Sequence, residues 1–173
     1  MRSKDLTATI DTMKIYLLTH QREFKRPSNT GNIVTRIGIT IAKAIPWERK
    51  NSNLELLETI KDKNTVLLFN NPEAEIIKDK LPYDNFIILD GTWQEAKKIY
   101  NKSPYLKEMK TINLQTGRKS IYSLRRNQKE NGLCTAECVA EILRLKGKRE
   151  QAEKLDMAFQ EFMNQWTIKK SQP

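Results

Sequence analysis

Apolar residues fall along this chain in two kinds of run. Met13 to Thr19, Thr65 to Phe69 and Phe86 to Leu89 are short and nearly unbroken, as in strands buried on both faces, and Thr111 to Leu114 is a shorter fourth. Elsewhere apolar residues return at helical spacing. From Asn32 to Ile45, Ile33, Ile37, Ile41 and Ala44 share one side, with Asn29 or Thr30 as cap and Pro46 as stop. Further helices are predicted over Asn53 to Lys61, Pro72 to about Lys80, Gln94 to Tyr100, and from Cys134 or Thr135 to a stop at Gly147. A last amphipathic helix, Arg149 to Trp166, buries Leu155, Phe159, Phe162 and Trp166.

Strands alternating with helices predict an α/β fold with a mainly parallel sheet flanked by helices. No linker or repeat divides the 173 residues, so one domain is expected over 1–173. Its core is expected over about 13–147, after a loose polar start.

Composition narrows the partners. Hydrophobic residues at 38% and charged residues at 30% suit a globular protein, and no apolar run approaches the roughly 20 residues that span a bilayer. The polar N-terminus lacks a signal-type apolar segment, which predicts a cytoplasmic protein with no membrane partner. A formal charge of +10 favours polyanions, nucleic acid first among them. Cys134 and Cys138 share a helix face, and with one distant histidine, His20, they make a poor metal set. No metal is expected, and both cysteines read as packing residues.

The chain has no glycine-rich phosphate loop, no Gly-x-Ser-x-Gly turn and no paired metal-ligating histidines. What remains is a set of polar loops after the predicted strands: Thr19 to Gly31, Phe69 to Pro72, Asp90 to Trp93, and a basic segment from Gln115 to Thr135. In a parallel sheet these ends converge where ligands bind. Asp90 sits at the mouth of a core strand and is the best candidate for a general base. Burial beside Trp93 would raise its pKa and a nearby Arg125 would lower it. The alternative is structural: Asp90 or Thr92 caps the next helix and Trp93 packs into the core.

Asp90-Gly91-Thr92-Trp93 resembles the Asp-x-Thr-Trp motif of the DTW-domain family. The stretch His20 to Gly31, with His20, Glu23, Arg26 and Ser28-Asn29-Thr30-Gly31, is similar to the family's first loop. Tyr122-Ser123-Leu124-Arg125 and Leu133-Cys134-Thr135-Ala136-Glu137-Cys138 are similar to its late segments. The three matches keep their order from about residue 13 to 145. Many bacterial members also carry a cysteine-rich zinc-type pattern before the first strand, which this chain lacks.

The resemblance implies a tRNA-uridine aminocarboxypropyltransferase, which moves the 3-amino-3-carboxypropyl group of S-adenosylmethionine to uridine N3. It also implies a SPOUT-like fold with a C-terminal trefoil knot. On this reading Asp90, Thr92 and Trp93 are catalytic. Phe69, Asn70, Asp90, Gly91, Arg125, Thr135 and Glu137 hold the donor. His20, Glu23, Arg26, Ser28, Asn29, Thr30, Arg118, Lys119, Tyr122 and Arg126 face the tRNA. Two alternatives stay open, a SPOUT-type RNA methyltransferase and a non-catalytic basic RNA-binding module. Whether the chain is a monomer or a homodimer is undecided by sequence.

Overall fold

The computed structural model describes residues 12–122 and 132–171. Among these, six strands form one all-parallel sheet: β1 (Lys14–Thr19), β2 (Ala42–Pro46), β3 (Thr65–Leu68), β4 (Glu75–Ile77), β5 (Asn85–Asp90) and β6 (Thr111–Leu114), in the order β2-β1-β5-β3-β6-β4. The connecting helices are α1 (Gln21–Phe24), α2 (Gly31–Arg36), α3 (Leu54–Ile60), α4 (Trp93–Asn101), α5 (Pro104–Lys107), α6 (Thr135–Leu145) and α7 (Arg149–Ser171). β5 lies at the centre and pairs with β1 from Lys14↔Asn85 to Thr19↔Asp90. All six of its residues are buried.

The period of two along each strand divides the core. Ile15, Leu17, Phe86, Ile88 and Val66 point to one face, where α2, α6 and α7 supply Ile33, Val139, Leu143, Leu155 and Phe159. Tyr16, Leu18, Ile87, Leu89 and Leu67 point to the other, against Leu56, Ala96, Ile99 and Leu106 of α3, α4 and α5. Helices thus cover both faces, as an all-parallel sheet requires.

The four inner strands lie where the apolar runs predict them. Both edge strands depart from expectation. The helix expected over Asn32–Ile45 stops at Arg36, because Gly38 takes φ +77° and turns the chain into β2. Ile37, Ile41 and Ala44 still pack against the same core, so the helical spacing marks the right face in the wrong element. Pro46 ends the edge strand and terminates no helix.

The helix expected from Pro72 is likewise absent: the Asn70-Asn71-Pro72 turn leads into β4, which pairs with β6 through Ile76↔Asn113. Ile77 and Leu81 are both buried at helical spacing, although Ile77 belongs to a strand. α7 runs on to Ser171, with Met163 buried in place of Phe162 and Trp166, which are only half-buried. The polar start, residues 1–11, lies outside the described residues.

Phe86 has no exposed surface and sits under the α2–α6 layer, whereas Ile76 on the outer strand is 53% exposed. Phe86→Ala is expected to lower unfolding free energy by about 3–5 kcal/mol. Ile76→Ala should change it by no more than about 0.5 kcal/mol. Urea unfolding midpoints compare the two directly.

Candidate functional site at the carboxyl ends of the strands

The carboxyl ends of β3, β5 and β6 open into a cavity of about 970 Å³. Leu68, Ile88, Leu89 and Ile112 form its floor. Phe69 and Trp93 form an aromatic wall, and Glu23 and Arg26 a charged one.

Asp90 is not on that wall. It ends β5 with 2% exposure, and three donors hold its carboxylate: Thr19 Oγ1 at 3.1 Å and Asn29 Nδ2 at 3.0 Å on Oδ2, and Thr135 Oγ1 at 2.8 Å on Oδ1. The donors come from the end of β1, the loop before α2 and the first residue of α6. Gly31 makes room for them, since a Cβ there would stand 2.5 Å from Asp90 Oδ2. The expected open position for a base is therefore taken by a buried acceptor that ties three segments to the central strand.

Thr92 is the N-cap of α4. Its hydroxyl accepts from the Glu95 amide at 3.2 Å and its amide donates to Glu95 Oε1 at 3.0 Å, a reciprocal capping box. The capping alternative thus applies to Thr92, which also lines the cavity. Trp93 is half-buried and stacks on Phe69 at 5.7 Å, and Phe69 stacks on Tyr100 at 4.1 Å. The indole is a wall of the cavity, with Lys97 Nζ 5.8 Å from its ring. Gly91 and Asn70 line the same space.

The first loop folds onto this turn. Asn29 donates through one Nδ2 to both Asp90 and Glu23 Oε2, the latter at 2.9 Å, and its Oδ1 accepts from the Asn32 amide. Thr30 Oγ1 accepts from the Ala136 amide at 3.1 Å and so anchors the start of α6. Ser28 lines the cavity, and its carbonyl accepts from the buried Tyr122 hydroxyl at 2.7 Å. Asn29 and Thr30 are 4% and 2% exposed and stay behind the wall.

Glu137 accepts from the Cys134 amide, the Ser120 hydroxyl and the Ile121 amide, which fixes the segment before residue 123 to the start of α6. Thr135 and Cys138 reach the cavity from there. Cys134 is packed in the core, where burial pushes its thiol pKa up, and no disulfide joins it to Cys138. Lys119 is an exposed cation on the cavity wall, whereas Arg118 turns toward Glu141 at 3.5 Å and Asp156 at 3.8 Å. Arg125 and Arg126 lie outside the described residues.

Sequence reasoning missed Glu95. The Thr92-x-x-Glu95 spacing marks a capping box, but nothing along the chain says that Glu95 also faces Glu23 and His20. Arg26 bridges the two carboxylates, pairing with Glu23 and reaching Glu95 Oε1 at 3.3 Å. Burial first, then the adjoining Glu95 carboxyl, raises the pKa of Glu23 to about 7 against the lowering pull of Asn29 and Arg26. Burial also acts upward on Glu95, yet hydrogen bonds from Glu23 and Thr92, with Arg26 beside them, bring it down to about 2. Below about pH 7 the pair holds one proton between them, and Glu23 is the member that keeps it.

His20 is buried and stacks on Trp47 at 5.7 Å. Burial lowers its pKa against the pull of Glu95, and Lys98, Arg22 and Arg26 lower it further, so the ring is neutral at pH 7. Nδ1 lies 3.3 Å from the Arg22 amide and 3.1 Å from Glu95 Oε2, and it serves one of them at a time. Glu95 Oε2 has no other hydrogen-bond partner among the described residues.

The cavity, lined by polar, aliphatic and aromatic side chains at the strand ends of a parallel sheet, stands where α/β proteins bind small ligands. The chain belongs to the DTW domain family, whose profile matches residues 3–167. It is 31% identical over 140 residues to tRNA-uridine aminocarboxypropyltransferase 2 of Mus musculus, a match covering 75% of this chain and 46% of that protein. The proteins of the same name from Drosophila melanogaster and Macaca fascicularis are 28% identical over 139 residues and 26% over 144, covering 75% of this chain and 55% and 48% of their own lengths. The chain thus spans about half the length of the relatives it matches. No solved structure matches it.

Thr135→Val keeps the shape of the side chain and removes a charged hydrogen bond to Asp90, with an expected loss of about 1.5–3 kcal/mol of stability. Thr92→Ala removes a helix cap and should cost about 0.5–2 kcal/mol. Guanidinium unfolding of both variants checks the order.

Proposed function

We propose that this chain is a tRNA-uridine aminocarboxypropyltransferase, transferring the 3-amino-3-carboxypropyl group of S-adenosylmethionine to N3 of a tRNA uridine and releasing methylthioadenosine. The observation that carries this reading is the cavity, in which the Asp90–Trp93 turn presents an aromatic wall opposite a buried acid and an arginine. Its volume of about 970 Å³ is at the upper end of small-molecule sites, which supports room for a donor beside a flipped-out base. The names of the relatives give aminocarboxypropyl transfer to tRNA uridine.

The chemistry of the donor suits the lining. A sulfonium is drawn to aromatic faces such as Trp93 and Phe69. The carboxylate of the transferred group pairs with a guanidinium or ammonium, for which Arg26 and Lys119 stand on the wall. Transfer of the long arm instead of the methyl requires that its γ-carbon be presented in line with N3. Trp93 stacks on the uracil, Thr92 fixes the turn that carries it, and Asp90 holds the surrounding loops in register.

The tRNA approaches a basic rim. Arg22 on α1, Lys25 at its end, Lys97 and Lys98 on α4, and Lys119 are all exposed, and such cations hold a phosphate backbone without reading its sequence. We read the fold as one SPOUT-like domain with a C-terminal knot. In support, the chain returns after β6 to join Tyr122 to Ser28 and α6 to Thr30 and Asp90. An experimental structure in which the C-terminal segment threads through no earlier loop overturns the knot. A cytoplasmic setting agrees with cysteines that form no disulfide. No helix among the described residues is long and apolar enough to cross a membrane.

Incubation with tRNA and S-adenosylmethionine is expected to yield methylthioadenosine and 3-(3-amino-3-carboxypropyl)uridine. S-Adenosylhomocysteine in their place would establish methyl transfer, and binding with no product a non-catalytic module. Loss of one stacked base costs about 1–3 kcal/mol, so Trp93→Ala should lower kcat/KM for tRNA by about 5- to 150-fold.

A further inference from the structure

We infer that Glu23 is the group that takes the N3 proton of the substrate uridine, with the adjoining Glu95 setting the pH at which it does so. The inference rests on the transferase reading above and adds a residue role to it.

Three acids crowd the strand ends, Asp90, Glu95 and Glu23. Only Glu23 lines the cavity, and it is the only acid among the described residues to do so. Asp90 is behind the wall with three donors on its carboxylate. Glu95 is committed to the amide of Thr92. Glu23 is 3% exposed, and Asn29 and Arg26 fix its direction from one side while Glu95 meets it from the other.

A base works best when its proton affinity is close to the working pH. Glu23, raised to about 7, meets that requirement. The charged groups that face it are Arg26, following α1, and Glu95 on α4. His20, Arg22 and Lys98 surround the far side of Glu95, and Asp90 is reached through Asn29.

The step balances. The N3–H bond breaks and its proton passes to a Glu23 oxygen. The freed electron pair on N3 forms a bond to the γ-carbon of the donor. The C–S bond breaks with its pair going to sulfur, which loses its positive charge and leaves as methylthioadenosine. One proton per turnover then leaves Glu23 for water in the cavity.

The test is single-turnover formation of aminocarboxypropyl-uridine across pH. In the wild-type protein the rate should fall as pH drops through about 7, because Glu23 must be deprotonated to act. Glu23→Gln should lower the rate by about 100-fold or more, with S-adenosylmethionine affinity within about threefold of wild type. A folded Glu23→Gln protein with a near wild-type rate overturns the inference. Glu95→Gln keeps the helix cap and removes the carboxyl that, after burial, raises Glu23 most, so the acid limb should move to lower pH; an unmoved limb also overturns it, and decides the matter if Glu23→Gln does not fold. A wild-type protein that makes no aminocarboxypropyl-uridine at all defeats the transferase reading instead.

Discussion

The Asp90 carboxylate is the contact on which the site depends. A buried charge is costly unless its lone pairs are met by donors. Here the donors arrive from β1, from the loop before α2 and from the start of α6, so satisfying one carboxylate fixes three segments that are far apart in sequence. Asn29 then passes the constraint on, because the amide nitrogen that serves Asp90 also serves Glu23. The direction of the acid that faces the cavity is thereby set by one that does not.

This dependence separates two meanings of a motif. Asp90 and Thr92 build the turn: one anchors it from beneath and the other starts the helix after it. Trp93, Gly91 and the loop residues Glu23 and Arg26 are what a ligand in the cavity meets. Substituting Asp90 releases Thr19, Asn29 and Thr135 together, so lost activity at that position reports a loosened site as readily as lost chemistry.

The inner sheet was legible because β1, β3, β5 and β6 are covered by neighbours and helices, which demands nearly continuous apolar residues. β2 and β4 have a neighbour on one side only, so their patterns break and imitate helices; Ile37 and Ala44 reach the right core from a turn and an edge strand. The position of the cavity was legible too, from polar loops following apolar strands. The pairing of Glu23 with Glu95 was not, because it requires α1 and α4 to meet across the end of β5, and no local spacing encodes that approach. The inward turn of Asp90 was hidden for the same reason, since its partners lie 71, 61 and 45 residues away.

The two margins of the sheet have a further effect. An exposed strand edge is a template on which another chain can add a strand, and long regular edges invite aggregation. β4 is only three residues long, and β2 presents the exposed Lys43 and ends on Pro46, which has no amide hydrogen to offer. The irregularity that makes these strands hard to recognise in the sequence also makes them poor seeds for fibril growth, a useful trait in a protein whose inner strands are among its most hydrophobic stretches.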